Sequence, residues 1–142
     1  MYKSSKVQQI SLTDFNQALG FKIDPENRWV KRAALIPWLK LEEEYAQLFP
    51  SRTGTVAKPL RMALGALLIQ KHYKCSDQEL VETIRENAYL QYFIGLSGYQ
   101  YKKPFVPSLM VEFRKRIPNS LVLKTCKIMT RIRTKIPKIS KN

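Results

Sequence analysis

Lys58-Pro-Leu-Arg-Met-Ala-Leu-Gly-Ala-Leu-Leu-Ile-Gln-Lys-His-Tyr73 is the stretch on which the fold turns. Leu60, Leu64, Leu67 and Leu68 recur at the three- and four-residue spacing that places side chains on one face of a helix. Ala63, Gly65 and Ala66 keep the surface beside them small, so a neighbouring element can approach closely. The spacing predicts a helix over 56–73 at the centre of the core. Its longest apolar run, Met62 to Ile69, is too short to cross a bilayer.

Toward the C-terminus, Ser76-Asp-Gln-Glu79 reads as a capping box, a hydroxyl at the cap and a carboxylate three residues on. Leu80, Val81, Ile84 and Ala88 form the buried side of the helix it starts. Ala88 to Gly95 predicts a short aromatic helix that the glycine ends. Two readings stand for the aromatics Tyr89 to Phe93, with Tyr99, Tyr101 and Phe105: burial in the core, which is preferred, or an exposed dimer surface. Gly98 to Lys103 reads as a loop. Pro104 and Pro107 then frame a helix start with Ser108 just inside; Leu109, Phe113 and Ile117 form its stripe and Pro118 closes it.

Toward the N-terminus, Asp24 reads as a cap, with Pro25 and Glu26 in the first turn of a helix carrying Trp29, Ala33 and Ile36. Pro37 breaks it. Trp38, Leu41, Tyr45, Leu48 and Phe49 mark a second helix, with Glu42, Glu43 and Glu44 turned partly to solvent, and a turn follows over Pro50 to Gly54. Residues 1–23 form a polar lead-in that docks through Ile10, Leu12, Phe15 and Leu19. No segment before residue 120 alternates. The expected fold is all-α, a compact bundle of about five or six short helices over 24–118. A basic tail, 119–142, follows, and its stretch Ile128 to Ile136 fits a strand and a helix equally.

The composition, 44% hydrophobic and 25% charged over 142 residues, belongs to one globular domain and excludes wholesale disorder. No apolar stretch follows Met1, so a soluble, cytoplasmic chain is expected. Cys75 and Cys126 lie far apart beside a single histidine, which argues against a disulfide framework and a zinc site. Asp24 and Asp77 read as helix starts, Glu42 to Glu44 as a solvated face, and His72 lacks a nucleophile partner. The five glycines form no phosphate loop. The expectation is a chain that is no enzyme and needs no cofactor.

The net charge of +14 is unevenly placed. Residues 1–100 hold 13 Lys and Arg against 10 acids, whereas 101–142 hold 12 against Glu112 alone. Such a field attracts polyanions, chiefly nucleic acid. The candidate contacts are Arg114, Lys115 and Arg116, with Ser108 offering a hydroxyl and backbone N–H groups to a phosphate, and Lys102 and Lys103 in the loop ahead. On a helical wheel Arg116 falls near the Leu109 and Phe113 stripe while Arg114 and Lys115 flank Val111. The three make no single stripe.

Four pieces then form an ordered set: Lys58 to Tyr73, Ser76-Asp-Gln-Glu-Leu-Val-Glu-Thr-Ile-Arg-Glu-Asn87, Tyr92-Phe-Ile-Gly-Leu96 and Pro107-Ser-Leu-Met-Val-Glu-Phe-Arg-Lys-Arg116. Over residues 24–118 the chain resembles the N-terminal, InsH-like domain of bacterial transposases of the insertion-sequence-five type. The resemblance implies a helical domain ahead of a catalytic domain of RNase H-like fold, whose acid triad with magnesium cuts and joins DNA. It implies a role in binding terminal inverted repeats and in forming multimers. It carries Arg114, Lys115 and Arg116 over as DNA contacts and Ser76 and Glu79 as caps; no catalytic acid, and hence no magnesium, is carried over. After Pro118 the family's mixed-charge helix and linker give way to an acid-free sequence, so 119–142 is expected to come from a truncated or frameshifted reading frame. The expected function is DNA binding and assembly in transposition, with inverted-repeat DNA, further copies or a full-length transposase as partners and no membrane. The alternatives are a multimerisation module and a regulatory fragment that blocks a full-length relative.

Overall fold

A computed structural model of the chain describes residues 22–47 and 58–135, the last five as backbone only. The lead-in up to residue 21, Leu48 and Phe49, the turn at 50–54 and everything from Ile136 onward lie outside the described residues. Those residues hold seven helices and no strand: α1 (Arg28–Leu35), α2 (Trp38–Ala46), α3 (Leu60–Tyr73), α4 (Asp77–Arg85), α5 (Ala88–Phe93), α6 (Leu109–Arg116) and α7 (Asn119–Lys135). The all-α expectation holds.

Helix α3 is the axis, touching α2, α4, α5, α6 and α7. Every residue from Leu60 to Ile69 is buried, so the apolar stretch is wrapped on all sides rather than on one face. Gly65 is needed for that closeness: a Cβ there would lie 3.2 Å from Ile94 Cγ2 and 3.4 Å from its Cα. Helix α3 stops where Lys74 turns left-handed at φ 53° and returns its N–H to Gln70.

The helix starts follow local chemistry. Ser76 Oγ accepts from the N–H of Glu79 at 3.1 Å, as the capping sequence predicts. Gly95, at φ 88°, ends the α5 segment. The start of α1 is a correction. Asp24 forms a tight turn, accepting from the N–H of Glu26 at 2.9 Å, and Asn27 is the cap, accepting from Trp29 N–H at 2.7 Å. Between α1 and α2, Pro37 breaks the helix and the Trp38 indole donates to the Ala33 carbonyl at 3.0 Å, satisfying an end that would otherwise be orphaned.

Two polar residues lie inside against expectation. Glu42 is buried on α2 instead of joining the solvated Glu43 and Glu44. Arg61 is buried in the apolar run, donating through Nε to the Phe93 carbonyl and through Nη2 to the Tyr92 carbonyl, both at 2.9 Å. Its guanidinium lies 5.0 Å from the Trp38 ring and 5.3 Å from Tyr92, and burial pulls its pKa down to about 10. Leu90, Tyr92 and Phe93 are buried and Tyr89 half-buried, so this aromatic stretch packs in the core, the preferred reading; Tyr101 alone of the later aromatics is largely exposed.

Helix α7 settles the open period of the sequence after Pro118. It is a helix, with Val122, Thr125 and Met129 buried where it packs on α1 and α3.

Candidate nucleic-acid interface

The six residues singled out from sequence are distributed around α4 and α6. Arg114 reaches from α6 to the first residue of α4, its two terminal nitrogens 2.9 and 3.0 Å from the two Asp77 oxygens. Gln70 closes the arrangement, donating to Asp77 at 2.7 Å and accepting from Arg114 at 3.3 Å. The Arg114 guanidinium beside Asp77 holds its carboxyl below the usual carboxylate range. A two-pronged arginine–carboxylate pair of this kind fixes geometry, and here it fixes α6 against α4 and α3.

Arg116 is turned inward, 3.8 Å from Glu112 and hydrogen-bonded to the Tyr45 hydroxyl, whose pKa burial pushes up to about 12 against the pull of Arg116. Lys103 lies 3.6 Å from Glu82, at the other end of α4. Lys102 and Lys115 are exposed and face no carboxylate among the described residues. Ser108 is exposed in a helical conformation and its hydroxyl caps nothing. The structure therefore brings no tight cluster out of these six; it uses three of them in ion pairs and leaves two lysines and a hydroxyl to solvent.

The loop between is unusually well fixed. Gln91, fully buried, donates to the carbonyls of Ile84, Arg85 and Gln100 and accepts from Gln100 N–H at 2.9 Å. Arg85 adds a 2.7 Å bond to the Tyr101 carbonyl.

A second concentration of positive charge lies where sequence reading placed none. A groove of about 480 Å³ opens between α1, the end of α3 and α7. Arg28, Lys31 and Arg32 of α1 face Lys71 and His72 of α3 across it, over a floor that includes Leu68 and Met129. A sequence signal existed: Arg28, Lys31 and Arg32 are three and four residues apart, one face of a helix. Their meeting with Lys71 is tertiary and has no such signal. His72 stands edge-on to Trp29 at 5.2 Å and to Tyr73 at 4.7 Å, packed among aromatic rings. Lys71 also lines a second hollow with Gln70, Arg114 and Asn119, so it connects the groove to the Asp77–Arg114 pair.

Among the described residues no three His, Cys, Asp or Glu side chains come together to hold a metal ion. Cys75 and Cys126 are free thiols, both pushed up by burial. No described helix is long and apolar enough to cross a membrane.

The chain is 32% identical over 103 residues to "Uncharacterized protein ORF8 in nfe locus" of Rhizobium meliloti, a match covering 72% of this chain and 49% of that protein. The chain thus spans about half the length of the relative it matches. No solved structure matches it. The family model described as "Transposase domain (DUF772)" matches residues 17–116, the segment that builds α1 to α6, and the chain belongs to that transposase-domain family.

Proposed function

We propose that this chain is the DNA-binding and assembly part of a transposase of the insertion-sequence-five type, that it binds the terminal inverted repeats of its element, and that it performs no catalysis itself. The observation that carries the reading is the pairing of a transposase-domain fold with cationic side chains on its surface: Lys102 and Lys115 around α4 and α6, and the basic groove at α1. Phosphate contacts of this type supply affinity and orientation, whereas sequence preference needs side chains that reach base edges. Ser108 and Lys115 are the exposed candidates near the start and end of α6.

The test is binding of residues 1–142 to labelled duplexes, one carrying the inverted repeats that flank the gene and one scrambled, across a salt series. The expected result is a preference for the repeats that persists as salt rises. Equal affinity for both duplexes at every salt concentration would reduce the chain to a nonspecific polyanion binder. A multimer in DNA-free solution would add the assembly half of the reading, and sedimentation measures it directly.

A further inference from the structure

We infer that the groove between α1, the end of α3 and α7 is the track on which the domain seats a DNA sugar–phosphate backbone. The inference deepens the DNA-binding reading above and rests on it. Three helices remote in sequence converge on this groove, and two of them deliver the cations Arg28, Lys31, Arg32 and Lys71. One lining carboxylate answers them, Glu26, which holds Lys31 at 2.8 Å. Arg28 and Lys71 face no carboxylate among the described residues. Like charges gathered in one concavity repel and lower the stability of the fold that gathers them, and an anion bound there relieves the repulsion.

The arginines are held in place rather than left to sweep solvent. The Arg28 guanidinium touches the Tyr73 hydroxyl at 3.4 Å, and Arg32 lies over the Trp29 ring at 4.8 Å. Trp29 is itself packed edge-on against His72 and Phe93. Side chains immobilised before a ligand arrives lose less freedom on binding it.

The shape of the groove points to the backbone of a nucleic acid. Its rim is cationic and its floor, with Leu68 and Met129, is apolar. A sugar–phosphate strand presents both kinds of surface, phosphate oxygens to the rim and deoxyribose carbons to the floor. Length favours it over a short acidic peptide. Lys71 carries the positive surface from the groove into the hollow it shares with Arg114. On the opposite wall α7 contributes Thr130. A positive surface that continues beyond the groove through Lys71 suits an extended polyanion.

The experiment uses the full chain with Arg28→Gln and Lys71→Gln combined, both side chains being exposed. Binding to a labelled random-sequence duplex is followed by fluorescence anisotropy at several salt concentrations. Loss of two phosphate contacts lowers the slope of log affinity against log salt by about 2 and weakens binding about tenfold or more near 0.1 M salt. The charge-conserving pair Arg28→Lys with Lys71→Arg keeps the wild-type slope. Circular dichroism verifies the fold; should the double variant lose helix, Lys71→Gln alone carries the test, with an expected slope change of about 1. An unchanged slope, with the wild type still binding, overturns the groove and leaves the DNA-binding reading standing. A wild type that binds no duplex at all removes the reading and the groove together. A twenty-residue polyglutamate is the last arm: if the double variant loses affinity for it and keeps its affinity for the duplex, the groove belongs to an acidic protein partner and the proposal falls.

Discussion

Asp77 accepts from both terminal nitrogens of Arg114 and from Gln70, so one carboxylate fastens α4, α6 and α3 at a single point. The pair is partly exposed, the two side chains retaining 30% and 45% of their surface, and water and salt screen it accordingly. Asp77→Asn is therefore expected to cost no more than about 1 kcal/mol at neutral pH. Its pH dependence carries the diagnosis. Arg114 lowers the folded-state pKa of Asp77 below its unfolded value of about 3.9, so the stabilisation is complete above that value and is lost as pH falls through the lower one. The same contact raises Arg114 from a value already beyond the working range, which leaves the acid side as the only visible limb. Urea titrations between pH 2.5 and 7 measure this: the wild type should lose more stability below pH 4 than Asp77→Asn does. A sequence reading that takes Asp77 as a helix start and Arg114 as a DNA contact holds both residues and lacks the link, because the two are 37 positions apart and meet only through the fold. Arg61 shows the same limit. Nothing in its neighbours distinguishes a guanidinium that forks onto the carbonyls of Tyr92 and Phe93 from one that extends along the helix into water.

Helix termini were legible where a cap and its helix are adjacent in sequence and ambiguous where two caps compete. Ser76 is followed directly by the helix it caps, and its hydroxyl does what the spacing requires. Near α1, Asp24 and Asn27 are both good caps, and Pro25 suits a first helical turn as well as a tight turn. The choice falls to Asn27 because Asp24 is otherwise engaged: its side chain closes the turn onto Glu26, and its own N–H donates to the Tyr89 hydroxyl at 3.1 Å. Substitution separates the two roles. Asn27→Ala should cost about 1 kcal/mol in urea denaturation, the usual loss of a side-chain cap, and Asp24→Ala no more than about half of that. The reverse order would move the start of α1 back to Asp24. The burial of Glu42 has a similar origin. Three consecutive glutamates cannot all face one way on a helix of 3.6 residues per turn, and α2 is held by Trp38, Leu41 and Tyr45 such that the first of the three turns inward.

For the whole molecule, segment totals of charge concealed what the tertiary fold assembles. Residues 1–100 carry a small net charge because Glu42 to Glu44 and the acids of α4 offset their cations. In space those acids lie on α2 and α4, whereas Arg28, Lys31, Arg32 and Lys71 meet in one groove. The near-neutral part of the chain thus supplies the cations of this groove, and the strongly basic part supplies α7, which walls it. That arrangement makes α7 more than an appendage to the matched family segment, which ends at residue 116. Its inner face places Val122, Thr125 and Met129 against the bundle, with Met129 on the groove floor. A tail unrelated to the fold would be removable at no cost. Burial of Val122 and Met129 alone is worth about 3–5 kcal/mol at the usual value for fully buried side chains of this size. That is a large part of the stability expected of a domain of this length. Ending the chain at Pro118 should therefore lower the urea midpoint sharply or abolish cooperative unfolding, while Lys124→Gln together with Lys127→Gln, both on the exposed side of α7, should leave the unfolding free energy within about 0.5 kcal/mol of wild type. Comparing the two by urea denaturation separates α7 as a packing element from α7 as a source of charge. Unchanged stability on truncation would mean that its inner face contributes nothing to the bundle, and the groove would then have to be built by α1 and α3 alone.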